Sequence, residues 1–205
     1  MLYIFNEVES LNDDFSERKM FLLSDERREK VQKIRSASGK KESVVAYLLL
    51  RLALLEIYTI NDIVVFDHLD KGKPVLRDFP QIHFNLSHSK NVAACVVSDF
   101  EVGVDVQYIR KVSDKAAKRV LTKAEYEEFK TKPDPDEYFC KIWAIKESVM
   151  KKTGQGMAAA FNKLPVNDIK DISVFREKDY FCSVCGENSH EIQIKHIRRE
   201  DFEKL

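Results

Sequence analysis

Two carboxylates in this chain stand where a carboxylate is costly unless something meets it. Asp105 lies inside the run VGVDV at 102–106. A strand's two-residue period puts Val102, Val104 and Val106 on one face and Gly103, Asp105 and Gln107 on the other. An acid in so apolar a strand needs a cation or hydrogen-bond donors, and Gly103 leaves room for another backbone or a ligand to come close. The second acid, Glu147, lies in CKIWAIKESVMKK at 140–152. On a helix, Trp143, Glu147 and Lys151 follow at four-residue steps and share a face, while Ile142, Ile145 and Val149 occupy another. If that helix packs across the strand, Asp105, Glu147 and Gln107 converge as an oxygen-ligand set. Such a set suits Mg²⁺, which keeps several waters and shares the rest of its shell with substrate phosphates. Both acids also have plainer uses: Asp105 can cap a loop, and Glu147 can pair with Lys151 on a solvated face.

Groups able to meet a phosphate stand upstream. FNLSHS at 84–89 gathers Asn85, Ser87, His88 and Ser89 where a strand pattern gives way to a loop. An imidazole and hydroxyls can donate to phosphate oxygens, and the same residue types stabilise turns through local hydrogen bonds. Lys73, between Gly72 and Pro74, supplies a second positive point in a constrained turn. Between 27 and 51 there are eight Lys or Arg residues against only Glu29 and Glu42. That stretch reads either as a solvated helix face or as a site for a polyanionic small molecule.

These residues need elements to hold them. Periodicity predicts a strand at 2–5, helices at 15–21 and 25–36, and a break at SASG. A long helix follows over 42–58, where Val45, Leu48, Leu49, Leu52 and Leu55 form an apolar stripe. Strands are predicted at 63–66, around Ile82, Phe84 and Leu86, at 92–97 and at 102–106, the last two joined by a short hairpin turn. Helices at 114–120, 123–130 and 138–152 precede strands at 172–176, 180–184 and 192–197. The fold class is α+β, with two similar subdomains, 1–102 and 103–205, each setting helices on a small antiparallel sheet.

Composition narrows the function classes. The 205 residues are 44% hydrophobic and 33% charged, with 34 basic and 34 acidic side chains. Zero net charge argues against broad electrostatic wrapping of nucleic acid. Cys95 and Cys140 read as small core residues. Cys182 and Cys185, three apart on a strand, point to opposite faces, which suits neither a metal nor a disulfide. No secretory signal and no membrane span are expected, and a reducing cytoplasm is the natural setting.

Taken together, FNLSHS at 84–89, GVDV at 103–106, WAIKESVMK at 143–151 and GKP at 72–74 resemble, in order and spacing, the 4′-phosphopantetheinyl transferase family. The likeness is to its long, single-chain type that modifies peptide and polyketide synthase carriers, and it spans nearly the whole chain. It implies two α+β halves with coenzyme A in the cleft between them. By the same resemblance, Asp105 and Glu147 hold Mg²⁺ against the pyrophosphate, with Gln107 beside them. His88 and Lys151 contact phosphates, and Lys73 and Ser87 line the channel. Arg35, Lys40 and Lys41 are the nearest candidates for the adenosine and its 3′-phosphate. Glu125 stands where many relatives carry an acid near the metal. One departure is Gln107, since relatives often carry an acid there; an amide brings no charge, which weakens the metal site. The implied reaction moves the phosphopantetheine arm to a serine of an apo-acyl or peptidyl carrier protein, with Glu147, Lys151 and His88 catalytic and a monomer sufficient. Two other classes compete. One is a Mg²⁺-dependent hydrolase or phosphotransferase acting on another nucleotide; the other is a noncatalytic coenzyme A or carrier-protein-binding module.

Overall fold

The computed structural model describes residues 1–155 and 161–205. Among the described residues, nine strands and six α-helices make four layers, helix–sheet–sheet–helix. The first sheet has the order β4 (His83–Ser89), β5 (Val92–Ser98), β1 (Leu2–Phe5) and β9 (Ile194–His196). The second runs β6 (Val102–Tyr108), β8 (Tyr180–Gly186) and β7 (Ile172–Arg176). A separate ribbon pairs β2 (Phe66–His68) with β3 (Pro74–Leu76).

Strand alternation builds the layers. Tyr3, Phe5, Cys95, Val97 and Phe84 face one way, onto Val45, Leu48, Leu49 and Leu52 of α3 (Ala37–Tyr58). Leu2, Ile4, Ala94 and Val96 face the other way, onto Val102, Val104, Val106, Cys182 and Val184 of the second sheet. The far side of that sheet carries α6 (Pro135–Thr153), with α4 (Asp114–Val120) and α5 (Lys123–Thr131) around it. Each large aliphatic side chain so buried contributes roughly 1.5–3 kcal/mol, and both sides of both sheets are covered.

Helix ends follow local chemistry. The stretch at 36–39, expected as a break, instead starts α3: Ser36 is its N-cap and accepts a hydrogen bond from the Gly39 amide. The helix therefore begins five residues earlier than the apolar stripe implied, because a cap, not the stripe, decides where the first turn closes. At the head of α6, Asp134 accepts from the Glu137 amide with Pro135 just inside, and Gly154 ends the helix at φ +66°. Before α2 (Asp25–Gln32), Ser24 plays the same part. The remaining helix, α1 (Phe15–Arg18), is a single turn.

Two features depart from a pair of self-contained antiparallel halves. β9 runs parallel to β1, with Leu2 opposite Ile194, and Ile197 and Phe202 enter the first core. The tail of the expected 103–205 unit therefore lies with the first sheet; alternation marked a strand there but could not name its partner. The second feature is the seam between the sheets. Asn85 Oδ1, Ser87 Oγ and Ser89 Oγ of β4 accept hydrogen bonds from the amides of Val104, Val106 and Tyr108 at 3.1, 3.0 and 3.2 Å. Side chains at two-residue spacing thus satisfy the edge of β6 that β8 leaves open. FNLSHS is strand throughout, not a strand passing into a loop.

Candidate active site at the seam

The seam sets Ser87 beside Asp105, and α6 closes over both. Ser87 donates to Asp105 Oδ1 at 2.9 Å and accepts from Lys151 Nζ at 2.9 Å as well as from the Val106 amide. Its one proton and both lone pairs are thereby used. Lys151 also donates to Asp105 Oδ1 at 2.7 Å. Asp105 Oδ2 and Glu147 Oε1 are both buried with no hydrogen-bond partner. Burial pushes the Asp105 carboxyl above its ordinary range, with Lys151 and Ser87 pulling the other way. Burial first, and then the charge of Asp105, push Glu147 up, with Lys151 opposing. The seam thus holds two mutually repelling acids, each with an unanswered oxygen. Hard oxygen donors left unsatisfied are what a small divalent cation needs, so the residues present fit Mg²⁺.

Gln107 lies on the same face of β6 and donates through Nε2 to the Tyr108 carbonyl at 2.9 Å, so its amide oxygen is the end left for another ligand. Among the described residues, no three His, Cys, Asp or Glu side chains come close enough to form a metal site by themselves.

Around this centre the other expected residues separate. His88 points to the opposite face of β4 from Ser87, and its Nδ1 lies 3.0 Å from Glu42 Oε2 on α3. Lys73 is buried; it pairs with Glu101 and donates to the Lys152 carbonyl at 2.6 Å, tying the β2–β3 turn to the end of α6. Arg35 is exposed and Lys40 half-buried, just before and within the first turns of α3. Lys41 differs: its ammonium is buried against the Leu11 carbonyl at 3.0 Å and Asp13 at 3.4 Å, which anchors the amino-terminal loop and turns it from any phosphate. Glu125 also lies apart from the two acids. It closes the capping box of α5 and accepts from Lys146 at 2.6 Å and from the Val166 amide at 2.9 Å, so both of its oxygens are engaged.

Comparison with known proteins bears on what such a cluster serves. Residues 101–200 match the model of the 4′-phosphopantetheinyl transferase superfamily, and residues 10–100 match that of the 4′-phosphopantetheinyl transferase amino-terminal region. The chain belongs to this transferase superfamily. It is 28% identical over 185 residues to 4′-phosphopantetheinyl transferase Sfp of Bacillus subtilis (strain 168), covering 89% of this chain and 83% of that protein. It is 30% identical over 154 residues to 4′-phosphopantetheinyl transferase psf-1 of Bacillus pumilus, covering 71% and 66%. Over 103 residues it is 41% identical to 4′-phosphopantetheinyl transferase HetI of Nostoc sp. (strain PCC 7120), covering 46% and 44%.

Some groups around this cluster are not legible from local sequence. Lys146, next to Glu147, is fully buried and donates to the Val120 and Phe161 carbonyls, both at 3.0 Å, as well as to Glu125. Its three hydrogen bonds, beside Glu147, fix this turn of α6. Burial would raise the Glu125 carboxyl, but Lys146 and the two amides outweigh it and hold it below its ordinary range. A carboxyl depressed in the folded state contributes stability that is present above its unfolded pKa and lost as pH falls through the folded one. Glu125→Gln should therefore cost about 2 kcal/mol at pH 7, the cost of leaving a buried partner unsatisfied. That difference should shrink in acid denaturation below about pH 4, near the unfolded glutamate's range. A difference that does not change with pH would remove the charge from this account.

Proposed function

We propose that the seam between β4, β6 and α6 is the catalytic centre at which this chain transfers the 4′-phosphopantetheine group of coenzyme A to a serine of a carrier protein. The observation that carries this reading is the pair of buried acids, each with an unpartnered oxygen, beside Lys151. The serine oxygen bonds to the phosphorus bearing pantetheine, the diphosphate P–O bond breaks, and adenosine 3′,5′-bisphosphate leaves. Asp105, Glu147 and the amide oxygen of Gln107 would hold Mg²⁺, which when bound supplies charge neutralisation on the diphosphate. Glu147 takes the proton of the serine hydroxyl. Lys151, already beside Asp105, steadies the charge growing on the leaving phosphate. His88 binds phosphate oxygens, with Ser87 keeping Lys151 and Asp105 in line, while Lys73, held by Glu101 and the Lys152 carbonyl, braces the end of α6. Arg35 and Lys40, which are not buried, would hold the 3′-phosphate. The two sheet-and-helix pairs act as related halves of one monomer around this cleft, in a cytoplasmic setting. No helix among the described residues is long and apolar enough to cross a membrane.

The direct test is incubation with coenzyme A, Mg²⁺ and several apo-carrier proteins, read by intact mass. A gain of about 340 Da, the mass of one transferred arm, identifies reaction and acceptor together. Release of inorganic phosphate without carrier modification would favour a hydrolase. Binding of coenzyme A with no transfer to any carrier would favour a noncatalytic module.

Gln107 adds a graded test. Ligand charge count tunes affinity at such sites, so Gln107→Glu should lower the Mg²⁺ concentration for half-maximal activity by about tenfold. A midpoint that does not move would place Gln107 outside the metal's reach.

A further inference from the structure

Glu42 has no part in the chemistry above, and its location is at first sight adverse: an acid among the cations proposed to receive a polyanion. Its carboxylate is nonetheless fully engaged. Oε1 accepts from Ser38 Oγ at 2.8 Å, and Oε2 lies 3.0 Å from His88 Nδ1. The Glu42 side chain is 14% exposed, whereas that of His88 is 41% exposed. The imidazole is thus tethered at one nitrogen and open to solvent on the rest of its ring.

We propose that Glu42 is a positioning residue for coenzyme A: it holds His88 by Nδ1, so that Nε2 is the ring atom presented to a phosphate. An ionised carboxylate can only accept, so Nδ1 donates to Glu42, and the ring binds phosphate in the form that carries a second proton on Nε2, with Nε2–H donating to a phosphate oxygen. Strand alternation does the rest. Phe84 and Leu86 pack on the α3 side of β4, which brings His88 to the start of α3, near Arg35 and Lys40. Ser87, one residue earlier, points across the seam to Asp105. Two consecutive side chains of one strand therefore serve the two ends of the same ligand. Ser38, one helical turn before Glu42, keeps the carboxylate from following the ring if it swings out. The proposal rests on the transferase reading for the identity of the ligand, but its geometry belongs to residues 38, 42 and 88 alone.

The test is a cycle of Glu42→Ala, His88→Ala and the double variant, with Glu42→Gln as the conservative change. Each is read by coenzyme A titration calorimetry, by KM and kcat with an apo-carrier protein, and by the ¹⁵N signature of the His88 ring. Loss of one charge-assisted hydrogen bond should raise the coenzyme A Kd and KM about tenfold in Glu42→Ala, with kcat moving by less than about twofold. Glu42→Gln keeps an oxygen that accepts from Nδ1 and should recover most of the affinity. In the His88→Ala background, Glu42→Ala should cost nothing further, because nothing remains to be held. The protonated Nδ1 signal of the parent should broaden or shift in Glu42→Ala.

Four results would each overturn the proposal. Tighter coenzyme A binding in Glu42→Ala would make Glu42 a repelling charge. An undiminished effect in the His88→Ala background would show that it acts elsewhere. Unchanged affinity in His88→Ala alone would leave it nothing to position. If the parent binds coenzyme A and the cycle behaves as expected while no carrier is ever modified, the positioning stands and the transferase reading falls. If carriers are modified but Glu42→Ala is silent, only the positioning falls.

Discussion

Glu147→Gln lowers the rate of carrier-protein modification by about a thousandfold while leaving thermal stability equal to or above that of the parent. The size follows from removing a general base, worth about 10²–10⁴ in rate, together with one of two negative charges that face a cation. The stability result follows from the surroundings. Glu147 Oε1 has no partner, and the Asp105 charge already makes ionisation of Glu147 costly. A neutral amide of the same shape relieves that repulsion and leaves Oε1's position no poorer in hydrogen bonds. Loading rate by intact mass at saturating Mg²⁺, beside a thermal unfolding curve, separates the two effects. A rate within a few-fold of the parent would take the proton-transfer role from Glu147. A large loss of stability would mean that the carboxylate props up α6, contrary to its unpartnered oxygen.

What could be read before the structure, and what could not, divides by the range of the interaction. The apolar and polar faces of β6 are two-residue alternation, and the positions of Val104 in the inter-sheet core and Asp105 beneath α6 follow it. The shared face of Glu147 and Lys151 is likewise local helix geometry. The cysteines follow the same rule: Cys182 lies in the inter-sheet core, and all four thiols are free and buried. Partners distant in sequence were out of reach. Nothing local says that Lys146 will meet Glu125, that Lys41 will turn to Leu11 and Asp13, or that β9 will cross back to lie beside β1. The polar residues of FNLSHS show the ambiguity most clearly. Asn85, Ser87 and Ser89 look like phosphate donors or turn formers, and the structure uses them as acceptors for the open edge of β6. Only Ser87 also touches the acids, and only His88 faces the basic end of α3.

Gly103→Ala is the variant in which fold and chemistry fail together. A β-carbon on Gly103 would stand 2.1 Å from the Ser148 carbonyl oxygen and 2.4 Å from the Lys152 amide nitrogen. Both are backbone atoms of α6, so no side chain can swing aside; the helix must lift from the strand by about 1 Å or the strand must bend. Overpacking of this kind costs about 3 kcal/mol. The close approach that Gly103 permits is that of another backbone, and the residues above it decide the consequence. Ser148 and Lys152 flank Glu147 and Lys151, so lifting α6 carries the base and the ammonium away from Asp105. A displacement near 1 Å costs about a hundredfold in rate even when every functional group remains. Gly72→Ala is the matched control. Gly72 has φ +83° but nothing within 4 Å of the added carbon, so it should cost only about 1 kcal/mol of backbone strain. Chemical denaturation and loading rate measured on both variants distinguish contact from conformation. Parent-like stability and rate in Gly103→Ala would mean that α6 does not rest on β6 at this point, and then Asp105 and Glu147 would have no common ligand to share.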